Sequence, residues 1–211
     1  MSSARLELDH VLLAVEDLEA AGREMEARYG LASIEGGRHP GWGTANRIVP
    51  LGETYLELIT VVDQAEAARS AFGNWVADAL PADVRPLGWA ARTDDLDAVA
   101  GRLGLALSAR SRPTSSGQLL EWRIAGIDEA VAEPSLPILI EWGAGTPVPA
   151  RSPITHPAGG AEISKLQLTG DEQRIAGWLH SHDLPIEVRP GTPALASVTL
   201  KTPADEFVIS R

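Results

Sequence analysis

Two acidic residues stand where a carboxylate is costly. Glu57 lies between Leu56 and Leu58 in the apolar run Tyr55–Val61, and Glu141 sits likewise in Ile138–Trp142. A buried carboxylate without a partner forfeits its hydration. Each therefore calls for a metal ion, an arginine such as Arg47 or Arg123, or water. If both faced one space with no cation, like-charge repulsion would raise at least one pKa and make that residue a general acid or base. His10 opens an apolar run, where a histidine is a satisfied structural residue or the polar wall of a pocket. The stretch Gly36–Asn46 (GGRHPGWGTAN) is either a tight connection between strands or a loop at a pocket mouth. In the second reading His39 serves as an acid/base group, its ordinary pKa being near neutrality. Trp42 and Asn46 would then touch the ligand.

Composition narrows the field in which these residues can act. The chain has 211 residues, 44% hydrophobic and 22% charged, an ordinary globular balance. Its 18 basic and 29 acidic residues leave a formal charge of −11, which a phosphate backbone repels, and no Lys/Arg cluster offsets it. Nucleic acid is thereby excluded as a partner. Apolar runs such as Val11–Val15 are far too short to span a membrane, and Met1–Arg5 is too short for a signal peptide. The chain has no cysteine, so thiolate chemistry is out and any metal must be held by His, Asp and Glu. A reducing, cytoplasmic location fits that composition.

The order of elements repeats. Asp9–Val15 reads as a strand, Asp17 as the cap of a helix over Leu18–Tyr29, and Gly30 as its left-handed stop. Strand-like segments follow at Leu31–Glu35, Ala45–Leu51 and Tyr55–Val61, giving β-α-β-β-β. Asp63–Leu80 reads as an amphipathic connecting helix carrying Trp75. The pattern then returns, with Leu87–Thr93, a helix over Leu96–Leu103, and strands at Leu105–Ala109, Leu119–Ala125 and Ile138–Trp142. Asp17-Leu18 aligns with Asp95-Leu96, and Glu57 in YLELI with Glu141 in ILIEW once loop variation is allowed. Residues 143–160 read as a linker, and 161–211 spell a shorter third copy that serves as a structural cap. The expected organisation is thus one module plus connecting helix over 6–80, a second over 86–142, the linker, and the C-terminal unit. The fold class is α+β, with the paired βαβββ modules curving around a cup lined by alternate strand residues.

The runs LDHVLLAVEDLEAAG, GGRHPGWGTANRIVPLGETYLELI and WAARTDDLDAVAGRL resemble the glyoxalase-like branch of the vicinal oxygen chelate superfamily. That resemblance implies a cup which in many members holds a divalent metal, with ligands from the first and last strand of each module. Carried over by position, the ligands fall on His10, Glu57 and Glu141. The fourth position falls on Gly88, which has no donor. A His/Glu/Glu set suits Mn²⁺, Fe²⁺, Ni²⁺ or Zn²⁺ and leaves positions open for a substrate with two adjacent oxygens. The glycine leaves a metal-free cup open as the alternative.

Two functions follow from this resemblance. The first is a metal-dependent lyase or isomerase, in which the ion stabilises charge on oxygen while His39, or a glutamate not bound to the ion, moves a proton. Dioxygenation is disfavoured, since iron oxygenases rest on two histidines and one carboxylate and only one histidine is matched here. The second is a metal-free protein that sequesters an aromatic or amphipathic molecule, walled by Trp42 and Trp122. Trp89 and Trp142, each beside a position carried over as a ligand, are expected beneath the helices. Relatives dimerise, which extends to this chain as a homodimer.

Overall fold

A computed structural model of the chain describes residues 5–81, 83–113, 117–180 and 182–211. The opening residues considered for a targeting segment, Met1–Ala4, lie outside the described ones. The first module comprises β1 (Glu7–Ala14), α1 (Leu18–Tyr29), β2 (Ile34–His39), β3 (Thr44–Pro50) and β4 (Tyr55–Val61). The chain then runs through α2 (Gln64–Ala67) and α3 (Ala71–Asp78). The second module comprises β5 (Arg85–Arg92), α4 (Leu96–Leu103), β6 (Ser108–Pro113), β7 (Leu119–Ala125) and β8 (Ile138–Trp142).

The paired helices start and stop by the same chemistry. Asp17 accepts a hydrogen bond from the Ala20 amide at 2.8 Å and Asp95 from the Ala98 amide at 3.0 Å. Gly30 and Gly104 end them at φ 66° and 71°, a backbone region that glycine enters without penalty.

All eight module strands form one sheet in the order β2-β3-β4-β1-β5-β8-β7-β6. Within each module the first and last strands are parallel neighbours, and antiparallel β1 and β5 join the halves. The sheet curls until its two edges meet: Arg112 of β6 donates from Nη1 to the Gly36 carbonyl of β2 at 2.8 Å. The expected α+β cup of paired modules therefore holds.

The sheet has two faces with separate cores. Val11, Leu13, Leu56, Leu58, Trp89 and Leu139 point outward to Met25 of α1 and Val99 of α4. Leu12, Ile59, Ala90, Ile138 and Ile140 point inward, where Phe72, Trp75 and Val76 of α3 meet them. Two elements depart from the sequence reading. The connecting helix breaks in two at Ser70, whose hydroxyl caps α3 by accepting from the Gly73 amide. A short helix, α5 (Ile127–Ala132), interrupts the second module, its apolar pattern being too brief to register.

The C-terminal unit comprises β9 (Glu162–Thr169), α6 (Glu172–Leu179), β10 (Ile186–Arg189), β11 (Ala194–Lys201) and β12 (Glu206–Ser210). Its sheet runs β10-β9-β11-β12, with β10 parallel to β9. The element string matches the modules but the pairing differs, because the chain leaving α6 returns directly beside β9. Leu166, Leu168, Val198 and Leu200 join the outward core of the large sheet. Among the described residues no helix is long and apolar enough to cross a membrane.

Candidate functional site

Alternation along the inward strands builds the site. His10 on β1 and Tyr55 and Glu57 on β4 share a face, with Asn46 of β3 beside them and His39 at the end of β2. All but Tyr55 are polar residues buried to 7% exposure or less, and Asp9 is buried with them at 1%. Such a cluster persists only if each member is satisfied.

The satisfying contacts centre on Glu57. Asn46 Nδ2 donates to Glu57 Oε1 at 2.5 Å and lies 3.2 Å from His39 Nε2. His39 Nδ1 is 3.0 Å from the Thr44 hydroxyl, so a proton on Nδ1 leaves Nε2 free to accept from Asn46. The Asn46 carbonyl oxygen accepts from the Gly37 amide at 2.9 Å, which fixes the orientation of the amide. On the other side, His10 Nε2 is 3.4 Å from Glu57 Oε2 while its Nδ1 is 2.6 Å from Asp9 Oδ1. Asp9 Oδ2 accepts from the Trp142 indole N–H at 2.9 Å. Tyr55 stacks on the His10 ring at 4.5 Å between centroids.

The two imidazoles are therefore pushed in opposite directions. Burial opposes the cation on His10, but the Asp9 hydrogen bond and the charges of Asp9 and Glu57 outweigh it and raise its pKa. At His39 burial prevails, with Arg112 and His10 adding repulsion against the pull of Glu57, and the pKa falls to about 4. Burial and neighbouring charge thus favour the cation on His10 and the neutral ring on His39, with Glu57 between them. Burial and the charges of Asp9 and Glu57 also drive the Tyr55 phenol well above its ordinary range, so it stays protonated.

Above this floor the cavity is apolar, walled by Leu12, Trp42, Phe72, Trp122, Ile124, Ile138, Ile140 and Trp142, with Arg112 reaching in from β6. It offers about 60 Å³ of room for the centre of a water-sized molecule. Trp122 and Trp142 also line a far larger, open cleft of about 830 Å³ on their other side. That cleft holds no comparable cluster of buried polar residues among the described ones; its charges are half-buried or exposed, with Arg92 paired to Glu7 and Arg123 to Glu141.

Glu141 belongs to the open cleft, and here the expected ligand set comes apart. Its carboxylate pairs with Arg123 and accepts from the Leu96 amide at 3.2 Å, at the start of α4. The cause is register. Leu12 pairs with Glu57, whereas Ala90, the counterpart of Leu12, pairs with Ile138. The structural counterpart of Glu57 is thus Ile138, and Glu141 lies an odd number of residues beyond it, on the opposite face. The same parity turns Trp142 into the cup, against expectation, while Trp89 lies beneath the helices with its indole donating to the Ser135 carbonyl.

Gly88 does face inward, but a Cβ there would meet Trp75 Cη2 at 2.4 Å. The indole fills the space a fourth ligand would need. A divalent ion held by His10, Glu57 and Glu141 therefore does not fit. Nor does one held by the two histidines and Glu57, since the Asn46 amide occupies both His39 Nε2 and Glu57 Oε1. Among the described residues no group of three or more His, Asp or Glu is arranged to take a metal ion.

Sequence reasoning missed Asp9 and Arg112. A signal for Asp9 exists, an acid beside a histidine inside an apolar strand. Arg112 gives none, since SARSRP has no apolar alternation. The glycines of Gly36–Asn46 also have another purpose. Gly36 and Gly37 lie within β2, where a Cβ would strike Asn46 Oδ1 at 1.9 Å and Arg112 Nη1 at 2.6 Å respectively. They make room for those side chains, and the turn itself falls at Pro40–Gly43.

Paired βαβββ modules around a cup with a buried polar floor define the vicinal oxygen chelate class. Residues 8–182 match the family model described as a glyoxalase-like domain. The chain belongs to that family. Among solved structures, a hypothetical protein from Staphylococcus aureus is similar over 93% of this chain and 91% of its own, at 15% identity and a TM-score of 0.68. Methylmalonyl-CoA epimerase from Mycobacterium tuberculosis is similar at 20% identity and a TM-score of 0.44, covering 64% of this chain and 85% of the epimerase. A single-residue variant of the Streptomyces coelicolor epimerase, in complex with 2-nitronate-propionyl-CoA, gives 19%, 0.48, 68% and 100% for the same quantities. No curated protein matches the chain in sequence.

Proposed function

We propose that the protein is a small-molecule isomerase or lyase that moves a proton at a carbon beside a carbonyl. The observation that carries this reading is Glu57: a buried carboxylate with Oε1 held by Asn46 and Oε2 turned to His10, under apolar walls. A base must be fixed, desolvated and within reach of its proton, and Glu57 meets those terms. The proton leaves carbon for Glu57 Oε2, and the electron pair moves onto the carbonyl oxygen. The His10 imidazolium and the Arg112 guanidinium supply the positive charge that stabilises the oxyanion. Asp9 keeps His10 charged and aligned, while His39 and Asn46 hold Glu57 in place.

Deuterium incorporation tests the proposal. Wild-type protein in D₂O, given a panel of small ketones and keto acids, is expected to exchange the C–H beside the carbonyl of at least one. Glu57→Gln is expected to lower that rate by about 10³-fold. Exchange that persists in Glu57→Gln would contradict the assignment.

The aromatic walls favour a second reading, a cup that only sequesters its ligand. Under that reading small carbonyl compounds change the tryptophan fluorescence and none exchanges deuterium.

A further inference from the structure

Arg112 takes no part in the ligand set that the sequence suggests, yet it is a buried cation that lines this cup. It is 5% exposed, lines the same cavity as Glu57, and spends one N–H on the Gly36 carbonyl. None of its nitrogens comes within 4.0 Å of a Glu57 oxygen, so the two buried charges face one space without pairing. They nevertheless sense each other across it. Two residues earlier on β6, Arg110 stands over the Trp42 ring at 4.9 Å and joins no ion pair among the described residues.

From this arrangement we infer that the cavity takes a small 2-oxo acid, its carboxylate and keto oxygen on Arg112 and its C3–H turned to Glu57. The inference rests on the proton-transfer reading above and names its substrate class. Opposite charges that share one cavity without touching orient a bound anion. An anionic head is repelled by Glu57 and attracted by Arg112, whose planar fork matches two oxygens side by side. With the head so placed, the carbon next to the keto group lies toward Glu57. Glu57 then takes a C3 proton, the C–H electron pair forms the C2–C3 double bond, and the keto oxygen becomes an enolate oxygen beside the guanidinium. Return of a proton from Glu57 to C3 restores the substrate, with no oxidant or further reactant involved. The limited room and apolar walls restrict the rest of the molecule to a short hydrocarbon chain.

Binding is read from the fluorescence of Trp42, Trp122 and Trp142, which line the cavity. The probes are 2-oxobutanoate and butan-2-one, which differ only in the carboxylate. Wild-type protein is expected to bind 2-oxobutanoate at least tenfold more tightly, a comparison that needs no variant. Arg112→Gln is expected to weaken 2-oxobutanoate at least tenfold and butan-2-one by a clearly smaller factor, since butan-2-one meets the guanidinium through its keto oxygen alone. Arg112→Lys, which keeps the charge without the fork, should recover part of the loss. Equal binding of the two probes by wild type would overturn the inference, and so would an unchanged 2-oxobutanoate affinity in Arg112→Gln. Arg112-dependent binding without deuterium exchange would support the acid site and sink the proton-transfer reading. Exchange of butan-2-one as fast as of 2-oxobutanoate would do the reverse.

Discussion

Asn46 and His39 do more for the site than their place in a glycine-rich stretch suggests. Asn46 satisfies Glu57, meets His39 and is itself anchored by Gly37. Asn46→Ala strips Glu57 Oε1 of its amide donor, and about 2 kcal/mol of stability should be lost in urea unfolding. His39 sets a pH dependence. Its pKa is about 4 in the folded protein against 6.5 for an unperturbed histidine. Between those values the unfolded chain binds a proton that the native protein does not. Stability contributed by neutral His39 is therefore intact above pH 6.5 and drains away as pH falls toward 4, by up to about 3 kcal/mol. His10 works in the opposite sense: its raised pKa adds stability that is full below 6.5 and is lost as pH rises through the folded value. His39→Gln should flatten the acid side of the stability profile. Parallel profiles for variant and wild type between about pH 6.5 and 4.5 would show that His39 is not held neutral.

At the scale of elements, legibility followed the clarity of each pattern. Tyr55–Val61, Leu96–Leu103, Leu119–Ala125 and Ile138–Trp142 match the observed elements end to end, because each joins an unbroken apolar pattern to a cap or turn residue. β2 begins later than Leu31 suggests and runs on through Gly36 and Gly37, glycines that ordinarily argue against a strand. What could not be read was the register between parallel strands. Aligning YLELI with ILIEW puts two glutamates in matching places, but the strand pairing makes Ile138 the counterpart of Glu57 in the repeat. A one-dimensional match carries no parity, and parity decides which face a carboxylate sees. The close approaches on β2 and β5 give a test at this scale. Gly36→Ala, which drives a methyl into Asn46, and Gly88→Ala, which drives one into Trp75, should each cost about 2 kcal/mol. Only the first should also lower proton exchange, because only Asn46 holds Glu57.

For the whole molecule, the cup is closed where its sheet edges meet through Arg112 and backed where the C-terminal unit covers the outward core. Its inner half opposite His10 is filled by Trp75 of α3. That packing gives a polar centre on the first module facing a second module that is apolar apart from Arg112. On this account a chelator should leave both the melting temperature and any proton exchange unchanged. A rise in melting temperature on adding Mn²⁺, Ni²⁺ or Zn²⁺, reversed by the chelator, would return a metal to the site.

The proposed chemistry depends on a carboxylate held between two imidazoles whose protonation is pushed in opposite directions. Nuclear magnetic resonance of protein labelled with ¹⁵N in its histidine rings reads that state at each ring as pH is varied. His10 is expected to titrate above 6.5 while His39 remains neutral down to about pH 5, with its proton on Nδ1. Both rings titrating together near 6.5 would contradict it.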